Sequence, residues 1–338
     1  MAEKINPAYK LRSGKNSKLF YYLRNYLLYM LPDALYVPLF TKRGNITDEE
    51  RQIIEERTSY YCKPFTASLP ESLPSLGQQS LKERKPAGGT GRRYASVYFF
   101  DSYEYTRCFP KSLRWNYLFG DITHVPELPA IVKSRPIDGD NAFSVLLKLN
   151  KVRHFIFLND SIPFTEKRDM AIFRGDVRNK ENRIRFMQRW FGSSVCDAGD
   201  TTPEVVADRL GLPAEWRRKP IPIKEHLQYK FIVALEGNDV ASNLKWIMSS
   251  NSLAIMPRPK YETWFMEGRL IPGFHYVEVA DDFSDLEEKI RYYTEHPHEA
   301  EMILKHAHEF VAQFRNKRLE RIISLNVMRR YFGQTGQL

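Results

Sequence analysis

Cysteine is scarce in this chain of 338 residues: Cys62, Cys108 and Cys196 are all it has, far apart and odd in number. They form no Cys-x-x-Cys pair, so the sequence builds neither a disulfide framework nor a thiolate metal site, and a reducing compartment is the default expectation. Long apolar runs are missing too. Residues 1–16 are polar and basic, so no secretory signal is expected. The longest apolar stretch, residues 19–31, carries Arg24 and Asn25 and stops at Pro32. It falls short of the roughly 20 apolar residues that cross a bilayer. Glycine has one cluster, Pro86-Ala87-Gly88-Gly89-Thr90-Gly91, which follows no apolar strand and leads into no Gly-Lys-Ser/Thr. That excludes a P-loop. RNP, KH, zinc-finger and helix-turn-helix signatures are absent, and the basic residues are spread along the chain. Both facts argue against a nucleic-acid-binding protein, although the charge alone would suit one.

What the sequence does have is positive charge and aromatic rings. Lys and Arg number 51 against 41 Asp and Glu, a formal charge of +10. Such an excess favours anionic partners: nucleotide phosphates, nucleic acid or an acidic membrane surface. The 21 Phe, 19 Tyr and 5 Trp supply large burial per residue and equally good platforms for sugars and bases. Leu19, Leu23, Leu27 and Leu31 recur at i, i+4 spacing, with Lys10, Arg12, Lys15 and Lys18 before them and Lys42 and Arg43 after. A helix lying on an anionic membrane has this pattern, and so does a core helix with a basic lead-in.

A chain of this length predicts two domains. Thr47-Asp48-Glu49-Glu50 is a capping box that opens a helix to about Tyr60. Residues 68–93 read as a polar surface loop. The runs at 94–100, 130–134 and 154–158 predict strands. Strand and helix then alternate: strand 170–173, helix 180–191, strand 194–196, helix 203–210, strand 230–235, helix 241–249, and strands 253–256 and 276–279. Ser284-Asp285-Leu286-Glu287 is a second capping box, and Pro297 suits the first residue of a long late helix. Repeated βα units predict an α/β fold with a parallel sheet covered on both faces.

In such sheets ligands bind beyond the carboxyl ends of the strands. Two segments fit that geometry. In Phe173-Arg174-Gly175-Asp176-Val177-Arg178, Arg174 and Arg178 leave a strand end beside a glycine that lets backbone approach a phosphate. In Glu236-Gly237-Asn238-Asp239-Val240-Ala241-Ser242-Asn243-Leu244-Lys245, Gly237 makes the turn and Asn238 or Asp239 caps a helix. Ser242, Asn243 and Lys245 then face an anion with the helix N–H groups. Taken singly, each segment reads equally well as a connector with a solvated arginine.

Residues 173–178, 229–251 and 257–279 resemble the blocks of glycosyltransferase family 90. That family holds fungal capsule-associated xylosyltransferases, animal protein O-glucosyltransferases of the Rumi type and bacterial lipopolysaccharide-core transferases. Leu235-Glu236-Gly237-Asn238, Ala241-Ser242-Asn243-Leu244-Lys245-Trp246 and Lys260-Tyr261-Glu262-Thr263-Trp264-Phe265 are most similar to the bacterial group. The resemblance covers about residues 121–314 and is weak before Tyr94. It implies a GT-B fold of two Rossmann-like domains with a donor/acceptor cleft between them: residues 1–165 on the acceptor side, 166–314 binding the nucleotide sugar, and a terminal helix over 315–338 returning across both. It implies inversion at the anomeric carbon, a UDP-sugar as co-substrate and no metal or other cofactor. Arg174, Gly175, Arg178, Ser242, Asn243 and Lys245 would hold the diphosphate, with base and ribose near Glu236 and Gly237. In the animal enzymes an arginine aligns with Asn243, a departure that puts more weight on Lys245. The acceptor would be a lipopolysaccharide core or related surface glycan, worked on in the cytoplasm at the inner face of an anionic membrane.

The family's catalytic carboxylate follows a Val-Arg-Asp stretch. Here the matching stretch is Val132-Lys133-Ser134-Arg135-Pro136, with proline in the acid's place. Asp140 is the preferred base, with Asp121 and Asp138 as runners-up, although each is also an ordinary turn residue. Pro136 keeps open a scaffold that has lost catalysis. Asp138-Gly139-Asp140 also spells the Asp-x-Asp of metal-dependent transferases, an alternative that leaves the later blocks unexplained. His306 and His308, two apart, do not share a helix face. Trp246, Trp264, Phe265 and Met266 read as core, with Trp264 also suited to a donor pocket.

Overall fold

The computed structural model describes residues 14–42, 44–81 and 96–338. Its longer helices are α1 (Lys18–Met30), α2 (Asp33–Thr41), α3 (Asp48–Tyr61), α4 (Ser96–Thr106), α5 (Glu181–Trp190), α6 (Glu204–Arg209), α7 (Leu286–Glu295), α8 (Pro297–Ala312) and α9 (Lys317–Gln334). The strands are β1 (Tyr117–Leu118), β2 (Ala130–Val132), β3 (Ser134–Pro136), β4 (Ser144–Leu146), β5 (Arg168–Gly175), β6 (Cys196–Asp200), β7 (Tyr229–Val233), β8 (Leu253–Met256), β9 (Tyr261–Thr263) and β10 (Val277–Glu278). The chain is a mixed α/β protein with parallel sheets, gathered into two compact units. The first takes the described residues before Lys18 with Arg153–Pro259 and Arg269–Gln313. The second takes Lys18–Val152, Lys260–Gly268 and Phe314–Leu338.

The first unit holds a five-stranded parallel sheet in the order β6-β5-β7-β8-β10. Its first strand in sequence therefore lies between its second and third, as in a doubly wound sheet. Phe173, Phe231, Ile255 and Val277 bury one face against Phe186, Met187 and Trp190 of α5 and Leu286 and Ile290 of α7. Ile172, Ile232 and Ala254, on the alternate positions, are buried as well. Strands covered on both faces read as unbroken apolar runs, which is how β7 and β8 stand in the sequence.

The second unit has a three-stranded parallel sheet, β1-β2-β4, and an antiparallel pair, β3-β9, in which Arg135 lies opposite Glu262. The α3 capping box forms: Thr47 Oγ1 accepts from the Glu50 amide at 3.2 Å and Glu50 Oε2 from the Thr47 amide at 3.3 Å. The second box does not form. Asp282 takes the Ser284 amide and Asp285 takes the Ala280 amide, so carboxylates displace the serine before α7. Pro297 does open α8.

Three strand and helix expectations change. Residues 94 and 95 lie outside the described residues, but from Ser96 the supposed strand is helix α4. Val97 through Ser102 are all buried, so the run lacks the polar face that marks a helix in sequence. Residues 154–158 hold the end of a one-turn helix, Lys151–His154, and no strand. The Leu158 amide bonds Ser249 Oγ at 2.9 Å instead of a neighbouring strand. The helix over 241–249 shrinks to the turn Leu244–Ile247. Beyond it the Ser249 and Ser250 hydroxyls take the carbonyls of Trp246 and Ile247, in competition with further helix. Of the polar stretch 68–93, residues 82–93 lie outside the described residues, and 68–81 contain the short turn Leu76–Gln78.

The second unit is tied together by a buried carboxylate. Glu320 of α9 meets Arg57 Nη2 of α3 at 2.6 Å, Lys148 Nζ at 2.6 Å and Trp264 Nε1 at 2.8 Å. Burial alone would raise the Glu320 carboxyl, but Lys148 and Arg57 hold it below the usual carboxylate range. A depressed folded-state value means that the contribution is present above the unfolded pKa of about 4.3 and is lost as pH falls through the folded one. Replacing Glu320 with Gln strands two buried cations and should cost about 3–5 kcal/mol at pH 7. Urea denaturation should show that deficit shrinking once the pH drops below about 4.

Candidate functional site

Because β5 sits between β6 and β7, the chain leaves it toward β6 on one side while β7 continues the sheet on the other. The crevice of a doubly wound sheet opens at that switch point, beyond the carboxyl ends of the two strands. The two segments singled out in the sequence are the continuations of β5 and β7, and they meet there. Arg183, in the first turn of α5, donates from Nη1 to the Asp176 carbonyl at 2.9 Å. Its Nη2 donates to the Leu235 carbonyl at 2.7 Å and its Nε to the Glu236 carbonyl at 3.0 Å. Asn182 Nδ2 adds a bond to the same Glu236 carbonyl at 3.1 Å. Burial pulls the Arg183 guanidinium down to about 10, against the attraction of Asp176 and with the repulsion of Arg153.

The glycines follow from this crowding. A Cβ on Gly175 would lie 2.8 Å from the Phe173 ring and 3.5 Å from Arg183 Nη1. A Cβ on Gly237 would lie 3.3 Å from Arg183 Nη2. Both positions favour glycine because the Phe173 ring and the Arg183 guanidinium occupy the space a side chain would need.

The two arginines of the first segment part company. Arg174 turns to β6, where Nη2 meets Asp197 Oδ1 at 2.8 Å and Nη1 the Asp197 carbonyl at 2.7 Å, and its side chain is 9% exposed. Tyr229 donates its hydroxyl to the other Asp197 oxygen at 2.9 Å. Burial would raise Asp197, but the bonds from Arg174 and Tyr229 lower it. Arg178 is 43% exposed and meets Asp176 Oδ2 at 2.6 Å. Asp176 Oδ1 also accepts from the Arg178 amide and the Thr202 hydroxyl, each at 3.0 Å; burial opposes these bonds, and the net effect lowers its pKa. Lys180 Nζ reaches the Arg178 carbonyl at 2.9 Å.

In the second segment the Glu236 carbonyl is held by Arg183 and Asn182, with Gly237 beside the same guanidinium. Asn243 Nδ2 bonds the Val233 carbonyl at 3.1 Å and so closes the end of β7. Ser242 is half-buried, and Lys245 is fully buried within the one-turn helix. The N-terminus that stands over the β5 end is that of α5, ten residues long.

Asp121, Asp138 and Asp140 belong to the second unit. Asp121 is ion-paired with buried Lys133. Asp138 and Asp140 are exposed in the turn after β3, where Gly139 has φ +79° and Asp140 Oδ1 accepts the Ala142 amide at 3.1 Å. That turn rests on a buried frame: Arg135 Nε meets Glu262 Oε1 at 2.8 Å, and Asn141 Nδ2 meets the Pro136 carbonyl at 2.7 Å. Among the described residues no three His, Cys, Asp or Glu side chains gather as a metal-ligand set. Trp264 is core, stacked on Tyr61 at 3.8 Å, and His306 stacks on Phe274 at 3.6 Å.

Sequence reasoning missed Arg183 and Asp197. Arg183 did leave a trace: a cation in the first turn of a helix opposes the helix dipole and needs a local reason to be there.

A family model described as "Glycosyl transferase family 90" matches residues 147–324. Over 84% of its length the chain is 42% identical to the O-glucosyltransferase LpsA of Dichelobacter nodosus, covering 84% of that protein. It is similar over 44% of its length to protein O-glucosyltransferase 1 of Rattus norvegicus, at 24% identity and 38% of that protein. Human protein O-glucosyltransferase 3 matches 44% of the chain at 28% identity, over 28% of its own length.

The clamp makes a stability prediction independent of any ligand. Arg183→Lys keeps the charge but cannot reach three carbonyls at once, and should cost roughly 2–4 kcal/mol. Chemical denaturation of the variant checks this, and a loss below about 0.5 kcal/mol would show that the clamp holds nothing.

Proposed function

The chain belongs to glycosyl transferase family 90 and is a glycosyltransferase; on that premise we propose that it transfers a hexose, with glucose the first candidate, from a UDP-sugar to a hydroxyl of a lipopolysaccharide-core or related surface glycan. The observation that carries the donor half is the meeting of the β5 and β7 continuations at the switch point, stitched by Arg183. A departing UDP needs positive charge beside its phosphates. Arg178 and Lys180, with the α5 N-terminus behind them, supply it without requiring a metal ion. Arg174, Gly175, Glu236, Gly237, Ser242, Asn243 and Lys245 shape and support that crevice. Glucose is suggested by the name of the Dichelobacter relative, an O-glucosyltransferase, and the glycan acceptor by the resemblance to the bacterial group.

The division of labour is that of the GT-B type, with the donor on the Rossmann-like unit and the base on the other. In a single displacement the base removes the acceptor hydroxyl's proton as its oxygen attacks the anomeric carbon. The bond from that carbon to the diphosphate oxygen breaks on the opposite face, which inverts the centre. Asp140 is an exposed carboxylate, whereas Asp121 is already tied to Lys133. The basic chain and a membrane-borne acceptor together favour work at the cytoplasmic face of an anionic inner membrane.

Thermal shift and hydrolysis with a panel of sugar nucleotides, with and without EDTA, test the donor. UDP and UDP-glucose should stabilise the protein equally in EDTA, and Arg178→Ala should weaken UDP binding about tenfold or more, roughly 1.4 kcal/mol. Stabilisation that requires Mn²⁺ would sink the metal-free reading. Asp140→Asn should lower transfer by about 100-fold or more with UDP affinity unchanged. If Asp121→Asn does so instead, the base is Asp121.

A further inference from the structure

Helix α1 is built the wrong way round for a soluble protein. Leu19, Leu23, Leu27 and Met30 are 75, 55, 59 and 77% exposed, and Leu35 and Leu39 of α2 are 60 and 73% exposed. The face turned inward is polar and aromatic. Asn25 is buried with its Nδ2 on the Tyr21 carbonyl at 2.8 Å, and the Tyr21 hydroxyl donates to Asp101 at 2.7 Å. Tyr29 packs edge-on against Phe99 at 5.7 Å. A surface helix ordinarily buries its leucines and shows its polar side. Here the anchoring contacts fix the opposite orientation, and so many exposed aliphatic side chains on two consecutive helices mark an interaction surface.

The margin of the patch says what covers it. Lys18 and Arg24 lie on α1, Lys42 follows α2, and Arg321 sits over the Phe40 ring of α2. Asp33, the one acid in residues 18–42, is paired with Arg107 and Lys111. Tyr26 and Tyr29, about two-fifths exposed, are amphipathic rings of the kind that settle at a headgroup boundary. Among the described residues no helix is long and apolar enough to cross a membrane. A 13-residue helix, about 20 Å long, suits the plane of a bilayer surface. A second copy of the chain would also cover the leucines, but a self-complementary contact would set one basic margin against another.

We propose that α1 and α2 form a monotopic docking surface for an anionic phospholipid bilayer. Leu19, Leu23, Leu27, Met30, Leu35 and Leu39 enter the acyl boundary while Lys18, Arg24 and Lys42 meet the headgroups. The choice of an anionic bilayer rests on the reading of a membrane-borne acceptor. Lipid binding is measured apart from transfer, so either reading fails without the other.

The experiment is flotation of the full chain with phosphatidylcholine vesicles, with and without phosphatidylglycerol. Binding to the anionic vesicles should fall about tenfold or more when phosphatidylglycerol is omitted or salt is raised. The pair Leu23→Ser/Leu27→Ser, and separately Leu39→Asp, should each lower it about tenfold, with unfolding temperature and UDP response unchanged because these side chains point outward. No flotation, or equal flotation of wild type and variants, overturns the proposal. So does a lipid-free dimer by sedimentation velocity that Leu23→Ser/Leu27→Ser dissociates in a chain that ignores vesicles.

Discussion

One guanidinium, that of Arg183, fixes the carboxyl ends of β5 and β7 in a common crevice. Adjacent parallel strands share a ladder only along their length. Where the chain leaves them, the carbonyls of Asp176, Leu235 and Glu236 lose ladder partners and still require donors. Arg183 supplies all three from the first turn of α5, so loop, turn and helix are set by the same planar group. The costs are a desolvated cation and one that opposes the helix dipole. Both are tolerated because carbonyl dipoles converge on it from two directions.

The second unit uses the reciprocal device, a buried acid collecting donors from distant stretches. Glu320 draws in Arg57, Lys148 and Trp264, and Glu262 draws in Arg135 and Tyr60. Three of these five donors, Trp264, Arg57 and Arg135, are among its largest fully buried side chains. Such networks explain why the short stretch Lys260–Gly268 belongs to this unit: Glu262 and Trp264 are fastened into it. They also bear on the proposed chemistry, because Arg135 and Pro136 open the turn that carries the candidate bases Asp138 and Asp140.

The β5, β7 and β8 strands were legible in sequence because a strand buried on both faces leaves an unbroken apolar run bounded by turn residues. Their neighbourhood in space was legible in part, since glycine turns after such runs mark strand ends. Helix α4 was not, because burial on every side erases the period that separates helix from strand. The single turn Leu244–Ile247 looked longer because side-chain hydroxyls, not a change of pattern, end it. Arg183 and Glu320 sit on segments of mixed charge, where an ionic residue reads as solvated. Only the fold reveals that their partners are backbone carbonyls or a buried cluster.

The same geometry separates the two arginines of the β5 segment by what each would leave behind on moving. Arg174 is 9% exposed and bound to both the carbonyl and the carboxylate of Asp197, so turning it away would take the arginine donor from both of those acceptors. Arg178 is 43% exposed, and an ion pair at that exposure contributes at most about 1 kcal/mol. Asp176 would keep the Arg178 amide and the Thr202 hydroxyl if the guanidinium swung to an arriving anion. Exchange of one oxyanion for another at Arg178 is therefore cheap, while Arg174 is held in place as part of the wall. On the proposed reading, in which the crevice admits and releases a charged group at each turnover, both kinds of arginine have a use, one fixed and one free to turn.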